Sequence, residues 1–478
     1  MPLNSFRFLI LFCGCLFLLF IIQLIGRNHK NARTIQKSVL LLASYSFIYL
    51  VNWKFCVSIL FVTLISFGVG LTITNAKNKK AWLATSIVLL VAILCYYKYT
   101  NFFIESISIL LKNAVSISTL DIVAPVGISF YIFSSLSYLI DVYKGKYEGE
   151  KNILNYSLYI AFFPKLLAGP IIRYDQFTKS TKDYVGLTLL NFHDGIQIFV
   201  FGLFKKMVLA DHLGVFVDDI FFAPDAYNTG TIVLAVISYS LQIYLDFSGY
   251  SDMAIGISKI LGFDFPANFN LPYLAKNVSE FWKRWHISLS SWLQEYVYFP
   301  LGGSRKGLAR TFLNLMLVMI ISGLWHGAGW TFIVWGGLYG VSSCVQKLIG
   351  NKTKKNNSIV LIICTYVLVS LLWIFFRADS LETAFKVFAG LFTIHSGISQ
   401  PYTWSFFAII CVISATIVVV YRGKKRDIHD NHGELIIDGF YPILDLSKFW
   451  SMVAFFTFCG LTIIMGYYGN TAFIYGAF

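Results

Sequence analysis

The residues FLNLMLVMIISGLWHGAGWTFIVWGGLYG, 312–340, form two apolar runs joined by a short glycine-rich segment with one histidine. A transmembrane helix needs about 20 predominantly apolar residues, and similar runs recur along the whole chain. They predict an all-α polytopic membrane protein with about 11–13 membrane helices. The runs lie near residues 6–26, 55–74, 81–98, 122–140, 153–171, 192–210, 230–247, 311–323, 330–349, 358–376, 402–421 and 450–468, and we interpret shorter pieces at 39–51 and 102–118 as re-entrant or interfacial.

The composition agrees with this interpretation. Of the 478 residues, 57% are hydrophobic and only 13% are charged, whereas soluble domains carry about 25% charged residues. The apolar runs leave no room for a large soluble domain. We therefore expect residues 1–478 to form a single membrane-embedded domain, with its core motifs at about 125–340.

The net charge of +14 collects in short loops between the apolar runs, at 27–37, 75–80, 351–355 and 422–426. A nucleic-acid binder would line one groove with such charge, but here the basic residues lie in the loops between the predicted membrane spans. The positive-inside rule places these loops in the cytoplasm, which puts the N-terminus outside. Three apolar pieces separate the basic loop 143–151 from 75–80, so we expect that one of the three does not cross.

The eight cysteines all fall in apolar runs without metal-ligand spacing. We interpret them as small buried hydrophobic residues. The sequence has no phosphate-binding loop and no dinucleotide-binding fingerprint. We expect no bound metal and no bound cofactor.

His326 lies inside an apolar segment, where an ionisable side chain is rare and is a functional candidate by default. Gly323 and Gly327 would let another helix or a substrate approach the backbone closely, and Ser322, one turn earlier, could bond one ring nitrogen. A neutral imidazole suits proton transfer from an incoming hydroxyl during acyl transfer. The alternative is a packing histidine bonded to a neighbouring carbonyl.

His286 lies in a segment whose apolar residues recur at helical spacing from 280 to 298. The pattern predicts one amphipathic helix at the membrane interface, with His286 on the flank of its aromatic face. The alternative is an interfacial aromatic belt containing one hydrogen-bonded histidine. The residues that define the face are Trp282, Trp285, Leu289, Trp292 and Tyr296.

Three polar or kinked segments are further candidates. In DFSGYSD, 246–252, we predict a break after a span, where Asp246 and Asp252 would line the acyl or acceptor path, although Ser251 is better explained as a helix cap. Pro164 and Pro170 predict a kink that Gly169 allows to pack closely. Arg305, in the turn PLGGSRKG, could meet an anionic donor, and positive-inside charge explains it equally well.

Five sequence blocks occur in one order: PVGISFYIFSSLSYLIDVYKG (125–145), FFPKLLAGPIIRY (162–174), GLFKKMVLAD (202–211), the segment from DFSGYSD to YFPLGG (246–303) and GLWHGAGWTFIVWGGLYG (323–340). Together they closely resemble bacterial membrane-bound O-acyltransferases, and most of all the branch that O-acetylates polysaccharides. The likeness covers most of the chain. One departure is the ending FIYGAF, 473–478, where that branch ends in FIYFQF.

The resemblance implies that His326 is the catalytic histidine and His286 the second histidine of a central pore-like site. Trp282, Trp285 and Trp325 would contact the substrates, and together with Trp330 they would keep that site dry. The implied acyl donor is cytoplasmic acetyl-CoA, and the acceptor is a polysaccharide or cell-wall glycan. An extracytoplasmic partner of the SGNH-hydrolase type would complete the transfer. The implied location is the bacterial cytoplasmic membrane.

Two alternatives stay open on the sequence. One is D-alanyl transfer toward teichoic acid, in which the donor is a small carrier protein. The other is a transporter without acyl chemistry that uses Asp246 and Asp252 as a proton relay.

Overall fold

The computed structural model describes residues 3–26, 31–111, 118–167, 169–182, 186–350, 358–394, 396–426 and 444–469. In these ranges the regular structure is helical, and the only strand-like pairing is an isolated bridge between Tyr227 and Ile398. The predicted all-α fold is confirmed. The chain divides into two compact units: unit 1 contains Met1–Ile196 and Ala254–Phe265, and unit 2 contains Gln197–Met253 and Pro266–Phe478.

Unit 1 is built mainly from the first eight helices. Asparagine and serine side chains at several helix starts accept hydrogen bonds from first-turn N–H groups, as Asn52 does from Lys54 at 3.0 Å, and such caps define where a helix begins. The helices are α1 Phe6–Ile25, α2 Ala32–Val51, α3 Trp53–Asn75, α4 Lys79–Leu110, α5 Ile128–Tyr143, α6 Ile153–Ala161, α7 Phe163–Leu166 and α8 Tyr174–Lys182.

Helix α9, Leu189–Leu203, begins in unit 1 and ends in unit 2. It continues through a π-helical turn, Phe204–Ala210, into α10, Asp211–Phe222. Helix α11 follows at Thr229–Ile260, and a second π-helical turn lies at Gln294–Tyr298. The remaining helices are α12 Val278–Arg284, α13 Ile287–Leu293, α14 Leu308–His326, α15 Trp330–Ile349, α16 Ser358–Arg377, α17 Leu381–Gly390, α18 Thr403–Arg426 and α19 Phe449–Met465.

Eight helices of the described residues are long and apolar enough to cross a membrane: α1, α2, α3, α4, α11, α14, α15 and the segment Ile359–Arg377 of α16. Three shorter apolar stretches of 10–17 residues are α5, the segment Thr403–Val418 of α18, and α19. The piece 39–51 is not separate as predicted, and of the predicted piece 102–118, residues 112–117 lie outside the described residues. Residues 39–51 are the second half of α2, whose first turns are polar, and residues 102–110 extend α4. The ending 473–478 lies outside the described residues.

The apolar run 153–171 does not form one spanning helix as predicted. Helix α6 ends at Ala161, and the one-turn helix α7 follows with Pro164 in its first turn. Proline cannot donate the hydrogen bond that would continue the preceding helix. A Cβ atom on Gly169 would lie 2.5 Å from the Cα of Lys165, so the predicted kink and its tight packing at this glycine are confirmed.

The predicted break at 246–252 is also wrong, because α11 runs without interruption through these residues. Ser251 therefore caps no helix, and its hydroxyl instead accepts a hydrogen bond of 3.3 Å from the Asn268 side chain. Aspartate and serine favour helix caps because their side chains can hydrogen-bond to nearby backbone groups in place of the helical hydrogen bonds. Here the side chains of Asp246, Ser251 and Asp252 have other partners, and the helix continues.

Candidate active site

His326 is the last residue of α14, and the chain leaves it through extended backbone at Gly327. Its side chain is buried and surrounded by aromatic rings in edge-on contact. The ring centroids lie 4.9 Å from Trp325, 5.1 Å from Trp335 and 5.1 Å from Phe376. Such walls exclude water, which strengthens electrostatic interactions at the imidazole.

Helix α14 approaches α15 closely because glycines face the opposite backbone. A Cβ atom on Gly323 would lie 2.2 Å from the carbonyl oxygen of Phe332, and one on Gly336 would lie 2.4 Å from the carbonyl oxygen of Met319. Real Cβ atoms do not approach backbone this closely. The predicted close approach at Gly323 is confirmed, and it fixes the helix that ends in His326. The bond between Ser322 and His326 stays a prediction.

His286 lies where the predicted continuous helix is interrupted. Helix α12 ends at Arg284, α13 begins at Ile287, and His286 itself has left-handed backbone angles of φ 42° and ψ 56°. Few residues other than glycine adopt this conformation, although histidine is enriched among them. The prediction of one helix from 280 to 298 is therefore wrong.

The segment 268–270 holds this break in place. The backbone carbonyl of Asn268 accepts a hydrogen bond from the N–H of Ile287 at 2.9 Å, and the carbonyl of Arg284 accepts one from the N–H of Asn270 at 2.8 Å. The Asn268 side-chain oxygen accepts from the Ser288 N–H at 3.1 Å. Strained conformations persist where surrounding contacts over-determine them, and they cluster at functional sites.

The imidazole of His286 is fully buried. Its Nδ1 lies 3.3 Å from Asn268 Oδ1, and its ring meets Phe247 edge-on with centroids 4.6 Å apart. His286 lies outside the candidate membrane spans. Burial lowers its pKa to about 3, because desolvation disfavours the charged imidazolium. His286 is therefore neutral near pH 7.

Trp325 is the aromatic residue that joins the two histidines. Its ring centroid lies 4.9 Å from that of His326 and 5.7 Å from that of His286. The structure thus brings both predicted histidines to one aromatic cluster within unit 2. Of the other predicted tryptophans, Trp282 contacts Trp335 with centroids 5.8 Å apart, and Trp285 contacts Trp373 with centroids 4.9 Å apart.

Sequence reasoning missed three aromatic residues of this cluster, namely Trp335, Trp373 and Phe376. Trp335 and Phe376 contact His326 directly, and Trp335 stacks on Trp373 with centroids 5.8 Å apart. All three lie in apolar runs. Nothing in their spacing distinguishes them from ordinary core residues, so only the packing of α15 and α16 reveals their position.

Asp246 and Asp252, which were predicted to line a substrate path, form buried ion pairs with two consecutive lysines. Lys206 Nζ lies 2.5 Å from Asp246 and 2.7 Å from Asp211, and Lys205 Nζ lies 2.6 Å from Asp252. The lysines belong to the π-helical turn, a feature that is frequent at functional sites. The role of the two aspartates in a path stays a prediction, and the pairs show that they also hold α11 to this turn.

Arg305 is exposed in the bend that precedes α14. His326 lies at the other end of that helix, about 27 Å away at helical rise. The structure therefore does not bring Arg305 to the aromatic cluster. Its contact with an anionic donor stays a prediction.

Comparison with known proteins agrees with this arrangement. Residues 148–378, which contain both histidines, match the sequence model of the MBOAT, membrane-bound O-acyltransferase family. Over 388 residues the chain is 38% identical to the "Probable alginate O-acetylase AlgI" of Pseudomonas putida, and the match covers 78% of each protein. The chain belongs to the membrane-bound O-acyltransferase family. It is a multi-pass membrane protein and an O-acyltransferase.

Two further relatives are similar over different shares of the chain. The peptidoglycan O-acetyltransferase of Helicobacter pylori is 36% identical over 406 residues, covering 78% of this chain and 76% of that protein. The teichoic acid D-alanyltransferase of Bacillus subtilis is 28% identical over 233 residues, covering 45% of this chain and 57% of that protein. The similarity to the O-acetylating relatives therefore has the higher identity and covers more of this chain.

Proposed function

We propose that this O-acyltransferase takes an acetyl group from cytoplasmic acetyl-CoA and moves it across the bacterial cytoplasmic membrane for O-acetylation of a polysaccharide or of peptidoglycan. The observation that carries the proposal is the pair of buried histidines that both contact Trp325. The names of the alginate and peptidoglycan O-acetylating relatives support the acetyl group and the glycan acceptor.

The aromatic cluster suits general-base acyl transfer. In the proposed step, His326 takes the proton of an acceptor hydroxyl while the hydroxyl oxygen attacks the thioester carbonyl carbon. The C–S bond then breaks, the new ester keeps the acyl group, and the leaving thiolate takes the proton from His326 to become the free thiol. A neutral imidazole is required at the start. His286 orients the substrates.

The proposed orientation places the loops 27–37 and 75–80 in the cytoplasm and the N-terminus outside. Two candidate spans, α2 and α3, separate these loops. Among the described residues between 75–80 and 143–151, the helices are α4 and α5, so their number there is also even. Single cysteines in 75–80, in a cysteine-free background, should resist impermeant thiol reagents in intact cells. Ready labelling from outside would reverse the orientation.

We further propose that an extracytoplasmic partner of the SGNH-hydrolase type completes the transfer to the polymer. The chain has no G-x-S-x-G nucleophile motif, so a relay through a second protein fits its residues better than direct modification. The purified protein alone should turn over acetyl-CoA slowly or only onto small acceptors. Efficient acetylation of a long glycan by the isolated protein would contradict the relay.

The test of the whole proposal is a deletion strain complemented with the wild-type gene, His326→Ala or His286→Ala. Alkali-released acetate is measured in exopolysaccharide and in peptidoglycan. Deletion of the gene should lower the acetate in one of these two fractions, and the wild-type gene should restore it. Either histidine variant should leave the acetate low, although the variant protein is as abundant in the membrane as the wild type. Unchanged acetate in both fractions would overturn the acetyl function.

D-Alanyl transfer is the second candidate, supported by the Bacillus subtilis relative. It predicts that deletion lowers alkali-released D-alanine rather than acetate. The same extracts decide between the two. The transporter alternative is wrong, because the chain is an acyltransferase.

A further inference from the structure

We propose that Asn268 is a positioning residue that fixes the tautomer of His286, so that Nδ1 carries the proton and Nε2 presents its lone pair to a hydrogen-bond donor of the substrate. The inference rests on the proposed function for its catalytic consequence. The tautomer itself follows from hydrogen bonds in unit 2 alone.

The orientation of the Asn268 amide is fixed by a backbone group. The N–H of Ser288 can only donate, and it lies 3.1 Å from the side-chain atom of Asn268 that it contacts. That atom must therefore be the carbonyl oxygen Oδ1. The Ser288 hydroxyl donates to the same oxygen at 2.9 Å, and the amide nitrogen on the other side donates to the Ser251 hydroxyl at 3.3 Å.

The same oxygen fixes the proton on His286. Nδ1 of the ring lies 3.3 Å from Asn268 Oδ1. A carbonyl oxygen only accepts, so the contact is a hydrogen bond only when Nδ1 carries the proton. In a neutral imidazole the other nitrogen then has the lone pair. Nε2 is thus the basic nitrogen of His286.

The substrate group that this nitrogen recognises is a donor, either an acceptor hydroxyl or an amide N–H of the thioester arm. The left-handed backbone of His286 and the bonds from segment 268–270 hold the ring at one angle. The sequence interval between residues 268 and 286 contains no periodicity that would pair them. The pairing is visible only once the chain is folded.

The experiment is nitrogen NMR of ¹⁵N-histidine-labelled full-length protein in nanodiscs, with the His286 signals assigned by their loss in His286→Gln. The wild type should show a protonated Nδ1 and a non-protonated Nε2. Asn268→Ala should mix or reverse the tautomers, whereas Asn268→Asp should preserve the wild-type tautomer, because a carboxylate also accepts from Nδ1–H. A wild type with a non-protonated Nδ1, or an Asn268→Ala spectrum like the wild type, would overturn the proposal.

The matched control is Asn314→Ala. Asn314 is another fully buried asparagine of unit 2, and its amide donates to the Gly303 carbonyl at 2.9 Å. Its loss should lower stability without changing the His286 spectrum. If Asn268→Ala does not fold, the wild-type and Asn268→Asp spectra still decide the tautomer.

The kinetic consequence is measured on the same samples. A histidine in the wrong tautomer can cost up to about 10⁴-fold in kcat, so Asn268→Ala should lose acyl transfer and Asn268→Asp should recover part of it. A protein with the predicted tautomer but no acyl transfer from any thioester would contradict the proposed function and leave the positioning role intact. Full activity in a tautomer-shifted Asn268→Ala would remove the role of Asn268 in catalysis.

Discussion

The two histidines of the aromatic cluster are held by different physical means. His326 ends a regular helix, and the glycine contacts between α14 and α15 together with three aromatic rings set its position. His286 lies in a backbone break, and hydrogen bonds from residues 268–270 set its position. Packing therefore places one imidazole and polar contacts orient the other. Variants in these regions should fail in different ways.

His326→Ala should have the largest effect on catalysis. Loss of a general base costs about 10²–10⁴-fold in rate, or roughly 3–5 kcal/mol of transition-state stabilisation. Free thiol released from acetyl-CoA by purified protein measures it. Trp450→Ala is the control, because Trp450 is 78% exposed in α19 and should retain activity. A folded His326→Ala protein that keeps most of its activity would return His326 to a packing role.

His286→Ala should reduce acyl transfer with a different kinetic signature. If His286 orients substrate, the apparent KM for acetyl-CoA should rise more than it does in His326→Ala, because ground-state binding is lost as well. Initial rates over a range of donor concentrations measure both parameters. An unchanged KM with a reduced kcat would instead give the two histidines the same role.

Gly323→Val should lower the stability of the folded protein. The added Cβ would lie 2.2 Å from the Phe332 carbonyl oxygen, and overpacking costs typically about 1–3 kcal/mol. Thermal unfolding in detergent should show a lower midpoint and a lower yield. Gly337→Ala, on the same helix pair, has no atom within 4 Å of the added Cβ and should be neutral. Equal stability of the two variants would contradict the close helix contact.

Per pH unit, the smallest expected effect is a dependence of stability on pH that belongs to His286. Its folded pKa of about 3 lies below the ordinary value of 6.5, so between these values the unfolded chain binds a proton that the folded protein does not. The free energy of unfolding then falls as pH drops below 6.5, by up to about 1.4 kcal/mol per pH unit for this group. Unfolding midpoints at several pH values should fall less steeply in His286→Gln than in the wild type. Parallel curves would show that the folded pKa of His286 is ordinary.

The sequence predicts the helical fold and both histidines because hydropathy and an ionisable residue in an apolar run are local signals. It predicts the close approach at Gly323 for the same reason. It does not predict the break at His286, since side-chain periodicity from 280 to 298 is compatible with one helix and carries no information on the sign of φ. The ion pairs of Lys205 and Lys206 were missed because their partners in α11 lie some 40 residues further along the chain.

The glycine contacts between α14 and α15 also limit how the site can open. At Gly323 and Gly336, whose backbones lie against the carbonyls of Phe332 and Met319, no side chain separates the two helices. A sliding motion of α14 would have to break backbone contacts along this seam. In the proposed reaction, a substrate would then reach His326 by rotations of the surrounding aromatic side chains, among which Trp325 contacts both imidazoles.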